Sequence, residues 1–297
     1  MKQPYRHLYP FQSRFMPING HRYHYVDEGR GPAVLMLHGN PTWSFYYRHL
    51  IAALAPGHRV VAPDHIGCGL SDKPGAHAYG YRLADRVADL ETFIHRLVPD
   101  TPLTLVVHDW GGMIGMAFAL RHLNKIQRLV ITNTSGFLPP AGKPIPLRLR
   151  LLRNIPPFAG PAVLGLNIFA RAALVMAARR RLPRDVRRGL IAPYDRPKNR
   201  IATLRFVQDI PLSEGHPSFA LVKSVDGQLH RLSHLPMLIC WGKHDFVFDL
   251  DYFHEWQRRF PDAEAHLFED AGHYLLEDEP RAVTRTIQDF FHRHPIE

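Results

Sequence analysis

The chain opens with short stretches in which apolar residues cluster or alternate, each closed by a turn signal. Phe15 to Ile18 and Arg22 to Val26 flank Asn19-Gly20. That dipeptide suits the two left-handed positions of a type I′ turn, so the pair reads as a β-hairpin. Ala33 to Leu37, Arg59 to Ala62, Leu103 to Val107 and Leu129 to Thr132 are compact apolar runs of strand length. Patterns with helical spacing separate them, over Ser44 to Leu54, Leu83 to Leu97 and Gly112 to His122. Strand and helix alternating in this way predict βα units around a largely parallel sheet.

The texture then changes. Phe137 to Ile155 contains Pro139, Pro140, Pro144 and Pro146, and three helical patterns follow: Ala162 to Arg180, Arg184 to Ala192 and Lys198 to Val207. After Leu235 the first rhythm returns, with a strand over Pro236 to Trp241, a helix over Leu250 to Phe260, a strand over Ala265 to Phe268 and a closing helix over Pro280 to His292. The expected organisation is an α/β core made of residues 1–135 and 234–297, interrupted by a mostly helical cap at 136–233. No internal repeat is visible.

Composition narrows the class. The 297 residues are 45% hydrophobic and 22% charged, an ordinary globular balance on a chain long enough for a sizeable core. Collagen, coiled coil, disulfide-dense scaffold and full disorder are excluded. The two cysteines, Cys68 and Cys240, lie far apart and form no CxxC pair, which suits a reducing compartment. No apolar segment follows Met1-Lys2-Gln3-Pro4-Tyr5 as in a signal peptide, and no apolar run is long enough to span a bilayer. A cytoplasmic protein is expected.

Charge is distributed unevenly. The net value is +10, but Lys143 to Arg205 holds 15 Lys and Arg against Asp185 and Asp195, a local +13. The remainder has 22 basic and 25 acidic residues, or −3. The cap therefore carries the whole excess. It is also apolar: Leu147-Arg148-Leu149-Arg150-Leu151-Leu152-Arg153 leads into Leu164, Ile168, Ala172 and Val175, which recur near helical spacing. Such a cap could line a pocket for a small hydrophobic substrate. Its arginines could rim that pocket, meet an anionic head group, an acidic partner or a membrane surface, or simply face solvent. No nucleic-acid recognition module is present, so nucleic acid is not expected as a partner.

Candidate chemistry lies at the C-terminal ends of the strands, where open α/β sheets place their sites. Asp109 stands between the apolar run Leu103 to Val107 and a helix opening with Gly111-Gly112. A sharp strand-to-helix elbow exposes its central side chain, and small residues beside it permit the tight approach. Serine is the usual nucleophile there; an aspartate is already ionised and forms an ester-linked intermediate. An acid before a helix also reads as an ordinary N-cap. His273, in Ala271-Gly272-His273-Tyr274, follows the last strand and can serve as base. Asp245 follows the penultimate strand and can orient that imidazole; Asp249 and Asp251 read as solvent-facing or capping residues. The chain order Asp109, Asp245, His273 is nucleophile, acid, base. The backbone N–H groups of Asn40 and Trp110 suit an oxyanion hole, and their side chains add an amide and an indole donor for a leaving anion.

Other motifs carry less. Gly67-Cys68-Gly69 lacks dinucleotide-binding spacing and reads as a structural loop, Cys240 reads as core, and His21 and His24 lie on a hairpin without ligand spacing. There is no HExxH, no clustered metal set and no Walker lysine, so no cofactor or metal is expected.

Several of these segments together resemble a known family: His38-Gly39-Asn40-Pro41-Thr42-Trp43-Ser44, Asp64-His65-Ile66-Gly67-Cys68-Gly69-Leu70-Ser71, His108-Asp109-Trp110-Gly111-Gly112, Trp241-Gly242-Lys243-His244-Asp245 and Gly272-His273. Over nearly its full length the chain resembles α/β-hydrolases of the haloalkane dehalogenase superfamily. The resemblance implies Asp109 as nucleophile, Asp245 as acid, His273 as base, and Asn40 with Trp110 as anion-stabilising residues. The family's other acid position, after Leu129 to Thr132, holds Asn133, Thr134 and Ser135. Val107 replaces the glycine common in serine-hydrolase elbows, as in the family.

A narrower likeness rests on Ser44-Phe45-Tyr46-Tyr47-Arg48 and Gly165-Leu166-Asn167-Ile168-Phe169-Ala170-Arg171-Ala172. These are similar to bacterial β-lactone decarboxylases of long-chain olefin biosynthesis. That likeness implies conversion of a cis-dialkyl β-lactone to a cis-alkene and carbon dioxide, and partner enzymes that include a β-lactone synthetase, a reductase and a thiolase, with assembly near the membrane. Haloalkane hydrolysis is the alternative activity, and a non-catalytic lipid-binding module is a third class. An epoxide hydrolase needs acidic donors from the cap, and Tyr194 is the only cap tyrosine.

Overall fold

Eight strands form one sheet in the spatial order β1-β2-β4-β3-β5-β6-β7-β8. The computed structural model describes residues 5–140, 143, 147, 150, 153 and 159–296. The strands are β1 (Arg14–Ile18), β2 (His21–Glu28), β3 (Ala33–Leu37), β4 (Arg59–Pro63), β5 (Leu103–Asp109), β6 (Ile126–Thr134), β7 (Met237–Gly242) and β8 (Glu264–Phe268). β1 and β2 pair antiparallel through the predicted hairpin, with Asn19 and Gly20 both at positive φ. β2 joins β4 antiparallel, and all remaining pairs are parallel.

Helices cover both faces of the sheet. α2 (Leu83–Leu97), α3 (Trp110–Arg121), α7 (Phe219–Gln228) and α8 (Leu250–Arg259) pack on one side, against Leu35, Leu37, Leu105 and Val107. α1 (Arg48–Leu54), α9 (Leu275–Asp278) and α10 (Pro280–Arg293) pack on the other, against Val34, Met36 and Val106. The period-two alternation along β3 and β5 divides apolar residues between two cores, which is why neither run shows a polar face in sequence. Each fully buried Val or Leu contributes about 1.5–3 kcal/mol to this arrangement. α3 is apolar all round, as a helix clamped between sheet and neighbouring helices must be.

Between β6 and β7 the described chain is helical: α4 (Ile168–Met176), α5 (Arg184–Ile191), α6 (Ile201–Gln208) and α7. The expected single helix over Ala162 to Arg180 is broken. A wide π-type turn covers Gly160–Gly165, and Asn167 then takes a left-handed conformation at φ 55°. Asparagine tolerates that region, and here its amide also donates to the Tyr194 carbonyl at 3.2 Å. Lys198 to Val207 is likewise split, into a 3-10 turn (Pro197–Arg200) and α6. α7 was not evident from sequence because its half-buried face alternates with polar residues. The basic-apolar run at 147–153 and most of the proline-rich stretch lie outside the described residues.

Part of the cap's positive charge is structural. The Arg200 guanidinium is buried and donates to four backbone carbonyls, those of Leu164, Gly165, Tyr194 and Asp195. It thus fastens the π-type turn to α6. Among the described residues no helix is long and apolar enough to cross a membrane.

Candidate active site

The strand order reverses around β3: the chain goes first to β4 on one side, then to β5 on the other. Such a switch point opens a crevice beyond the C-terminal ends of β3 and β5. Asn40 follows β3 and Asp109 ends β5, so both stand at that crevice. The sequence pattern places the strand end at Val107 and the helix start at Gly112. The structure brings them together: β5 runs through Asp109 and α3 begins at Trp110, with no loop between. Asp109 is held at φ 52° and ψ −127°, a costly conformation for a side-chain-bearing residue.

Three glycines make this elbow possible. A Cβ at Gly39 would overlap the Asp109 carboxylate, one at Gly111 the Leu37 carbonyl, and one at Gly112 the Thr134 hydroxyl. The Thr134 hydroxyl in turn donates to the Asp109 carbonyl. Asp109 does not act as an N-cap, since its side chain makes no capping bond. Its Oδ1 instead accepts the backbone N–H of Asn40 at 2.6 Å, and the Trp110 N–H also bonds the carboxylate. Oδ2 faces His273 Nε2 at 3.6 Å. Burial pushes the Asp109 pKa up; the His273 imidazole and the two N–H groups work against that without cancelling it.

His273 and Asp245 arrive from the last two strand ends. His273 Nδ1 is 2.7 Å from Asp245 Oδ2. Asp245 Oδ1 accepts the N–H groups of Val247 and Phe248 at 2.7 and 3.0 Å, so both oxygens are committed as acceptors and Nδ1 carries the proton. Burial opposes a charged imidazole, but the Asp245 and Asp109 carboxylates outweigh it and raise the His273 pKa. The five residues singled out from sequence therefore meet: Asp245 is hydrogen-bonded to His273, whose other ring nitrogen faces Asp109, and Asn40 and Trp110 stand beside Asp109.

Two supporting residues escaped the sequence reading. Asn133, at φ 33° near the end of β6, donates to Asp245 Oδ2 at 3.0 Å and bonds both the N–H and the carbonyl of Gly242. His108, immediately before Asp109, bonds the His273 carbonyl through Nε2 at 2.8 Å; a carbonyl only accepts, so Nε2 carries the proton. Its ring lies 4.6 Å from that of His273 and 4.5 Å from that of Tyr46. Burial holds His108 neutral, and the neighbouring His273 adds to that effect. The signal for His108 was only its position, next to the elbow on a strand that is otherwise apolar.

The side-chain donors differ in availability. The Asn40 amide donates to the Thr203 carbonyl of α6 at 3.1 Å, so part of its capacity ties the loop after β3 to the cap. Trp110 packs on Phe206 of α6 and lines the cavity above Asp109. That cavity measures about 410 Å³ and is walled mainly by apolar side chains, among them Met113, Phe169, Ala172, Met176, Val222 and Phe248. Asn40, Asp109, Trp110 and His273 form its polar floor. Tyr194 does not line it: this buried hydroxyl donates to the Thr42 carbonyl at 3.2 Å.

Asp64 and His24 are structural. Asp64 accepts His24 Nδ1 at 2.7 Å and the N–H groups of Ser44 and Leu70, both at 2.8 Å. Burial would raise its pKa, but His24 and these bonds hold it well below the usual range. This buried pair fixes the loops after β3 and β4 from below.

Residues 32–280 match the alpha/beta hydrolase fold family. A cis-3-alkyl-4-alkyloxetan-2-one decarboxylase of Shewanella oneidensis is 46% identical over 285 residues, 95% of this chain and 89% of that protein. One of the same name from Xanthomonas campestris pv. campestris is 42% identical, covering 92% of this chain and 93% of that protein. Haloalkane dehalogenase 2 of Mycobacterium bovis is 33% identical over 96% of both chains. The crystal structure of haloalkane dehalogenase DbeA from Bradyrhizobium elkani superposes with a TM-score of 0.84 at 25% identity, covering 95% of this chain and 98% of that one. An aspartate at the elbow, a His–Asp pair over the sheet edge and a helical segment between β6 and β7 stand in a chain that belongs to the α/β-hydrolase family, in the branch shared by haloalkane dehalogenases and cis-3-alkyl-4-alkyloxetan-2-one decarboxylases.

Proposed function

We propose that this protein is a β-lactone decarboxylase, converting cis-3,4-dialkyl-β-lactones to cis-alkenes and carbon dioxide. The observation that carries the reading is the state of Asp109: Oδ1 accepts the Asn40 N–H, the Trp110 N–H also bonds the carboxylate, and Oδ2 stands at the floor of an apolar cavity, 3.6 Å from His273 Nε2. In this reading Oδ2 attacks C4, the ring carbon bearing oxygen. The C4–O bond breaks, and the ring oxygen leaves as part of a carboxylate that the Trp110 indole and the Asn40 amide receive. The electrons of the bond between C3 and that carboxylate then form the C3=C4 double bond. Carbon dioxide departs and Asp109 leaves as carboxylate. Inversion followed by anti elimination returns the cis geometry.

Attack at the lactone carbonyl would build a tetrahedral oxyanion, which needs N–H donors. Both backbone donors are already bound to Asp109 itself. The route through C4 is therefore favoured. Protons balance without water, so His273, held in place by Asp245, takes up and releases no proton in this step; the neighbouring carboxylates that raise its pKa favour its charged form beside the departing Asp109 carboxylate. The apolar wall disfavours the liberated carboxylate relative to the charge-dispersed transition state that follows. Asn133 and His108 act as positioning residues for Asp245 and His273.

The same groups support haloalkane hydrolysis, with halide leaving toward Trp110 and Asn40 and His273 activating water; the 33% identity to a dehalogenase favours that second reading. The proposal extends to the setting: a cytoplasmic step in olefin biosynthesis, alongside a β-lactone synthetase that closes the ring and a reductase before it. The test is gas chromatography with mass detection on purified protein given a synthetic cis-dialkyl β-lactone. Cis-alkene should form catalytically, and folded Asp109→Ala should lose at least a thousand-fold in rate. Unchanged lactone with halide release from a haloalkane would move the assignment to the second reading.

A further inference from the structure

Helix α4 presents three faces. Ala170 and Leu174 are buried, and Phe169, Ala172, Ala173 and Met176 line the cavity. Ile168, Arg171 and Val175 recur at helical spacing on the third face, which is exposed. Val175 is 73% exposed, and Leu166, just before the helix, 66%. Ile168 and Phe246 both line the cavity and are themselves exposed. The cavity thus reaches the surface through an apolar mouth, and the outer face of α4 forms its lip. Large apolar residues gathered at such a mouth mark a contact surface.

Charge identifies what that surface meets. Arg171 lies on the exposed face, and Arg179, Arg180 and Arg181 follow the helix, all exposed. Arg180 pairs with Glu279, while the side chains of Arg171, Arg179 and Arg181 have no carboxylate partner among the described residues. They belong to the segment of local charge +13. A second copy would bring the same charge and be repelled. A surface at once greasy and negative complements apolar anchors ringed by arginine. We propose that the outer face of α4 docks on an anionic phospholipid surface and turns the cavity mouth toward the lipid. This rests on the dialkyl lactone reading, since each methylene of such substrates and products favours the bilayer over water about four-fold.

The test is sedimentation of the full chain with vesicles of equal parts phosphatidylglycerol and phosphatidylcholine, and with phosphatidylcholine alone. Binding should require phosphatidylglycerol and weaken with salt. It should fall about five-fold in Arg171→Gln and at least ten-fold in the Leu166→Glu, Val175→Glu double variant. Turnover of a short-armed, water-dispersed lactone should be unchanged in the double variant. Three outcomes would overturn the proposal. One is no binding to phosphatidylglycerol vesicles. Another is undiminished vesicle binding by the double variant, which would assign charge alone. The third is a wild-type dimer that the double variant dissolves. If the short-armed lactone is not turned over by the wild type, the decarboxylase reading fails, whatever the vesicles show.

Discussion

At the residue scale the site depends on how each titratable group is held. Burial of Asp109 raises its pKa, so ionised Asp109 is less favourable in the folded than in the unfolded chain. Between the unfolded and folded pKa values the native state binds more protons. Stability therefore declines as pH rises through that window and stays lower above it. Asp109→Asn should accordingly raise Tm at pH 7.5, with a gain over wild type that shrinks towards about pH 4; calorimetry across pH checks this. In the wild type, kcat/KM should fall on the acid side as Asp109 takes up a proton, at a pH above the ordinary aspartate range. His108 touches no substrate in this geometry; it holds the backbone of the base. His108→Phe should reduce kcat about ten- to hundred-fold with little change in KM, because a small misplacement of His273 suffices for that loss. His108→Gln, which can return an N–H near the same place, should recover most of it. Steady-state kinetics on the two variants separates positioning from simple core packing.

At the element scale, short connections turn sequence into position. The β5–α3 elbow has no loop residue, so the strand end and the helix start together fix Asp109. The loop carrying His273 is tied to the end of α4 in a comparable way. Asp278, buried in α9, accepts the N–H groups of Arg179 at 2.9 Å, Arg180 at 3.0 Å and Gly272 at 2.8 Å, and the Tyr274 N–H donates to the Ala177 carbonyl at 2.7 Å. One carboxylate thus links a cavity-lining helix to the residue beside the base. Asp278→Ala would orphan three N–H groups and should cost about 2–4 kcal/mol in urea unfolding. It should also quicken tryptic cleavage at Arg179 to Arg181, because the local clamp opens before the sheet does.

At the scale of the whole molecule, function arises where separated parts of the chain converge. The polar floor of the cavity comes from the loop after β3, the β5–α3 elbow and the loop after β8, while its ceiling comes from the cap. Asn40 reaches across to α6 and Trp110 packs at a tilt against Phe206 of the same helix, so the cap bears directly on the groups proposed to receive the leaving carboxylate. A change in cap packing therefore alters chemistry as well as access. Phe206→Ala should lower kcat about ten-fold by freeing the Trp110 ring from its support, and the change in indole fluorescence would report that loosening.

Much of this was legible in the residues themselves. The strands of the sheet follow from short apolar runs ended by turn residues, since a strand buried on both faces has few other ways to be written. The elbow follows from Asp109 followed by Gly111-Gly112, because few other residues fit so close to Leu37 and Thr134. The order of Asp109, Asp245 and His273 reflects the order of the strands that carry them. Tertiary structure decided the rest. Asn133 and His108 acquire their roles only when β6 lies beside β7 and when the loop after β8 folds back over β5. The break at Asn167 and the inward turn of Arg200 depend on carbonyls supplied by distant cap segments. Local sequence determines backbone preference and burial pattern; hydrogen bonds between residues well separated along the chain are set by packing, which no local pattern encodes.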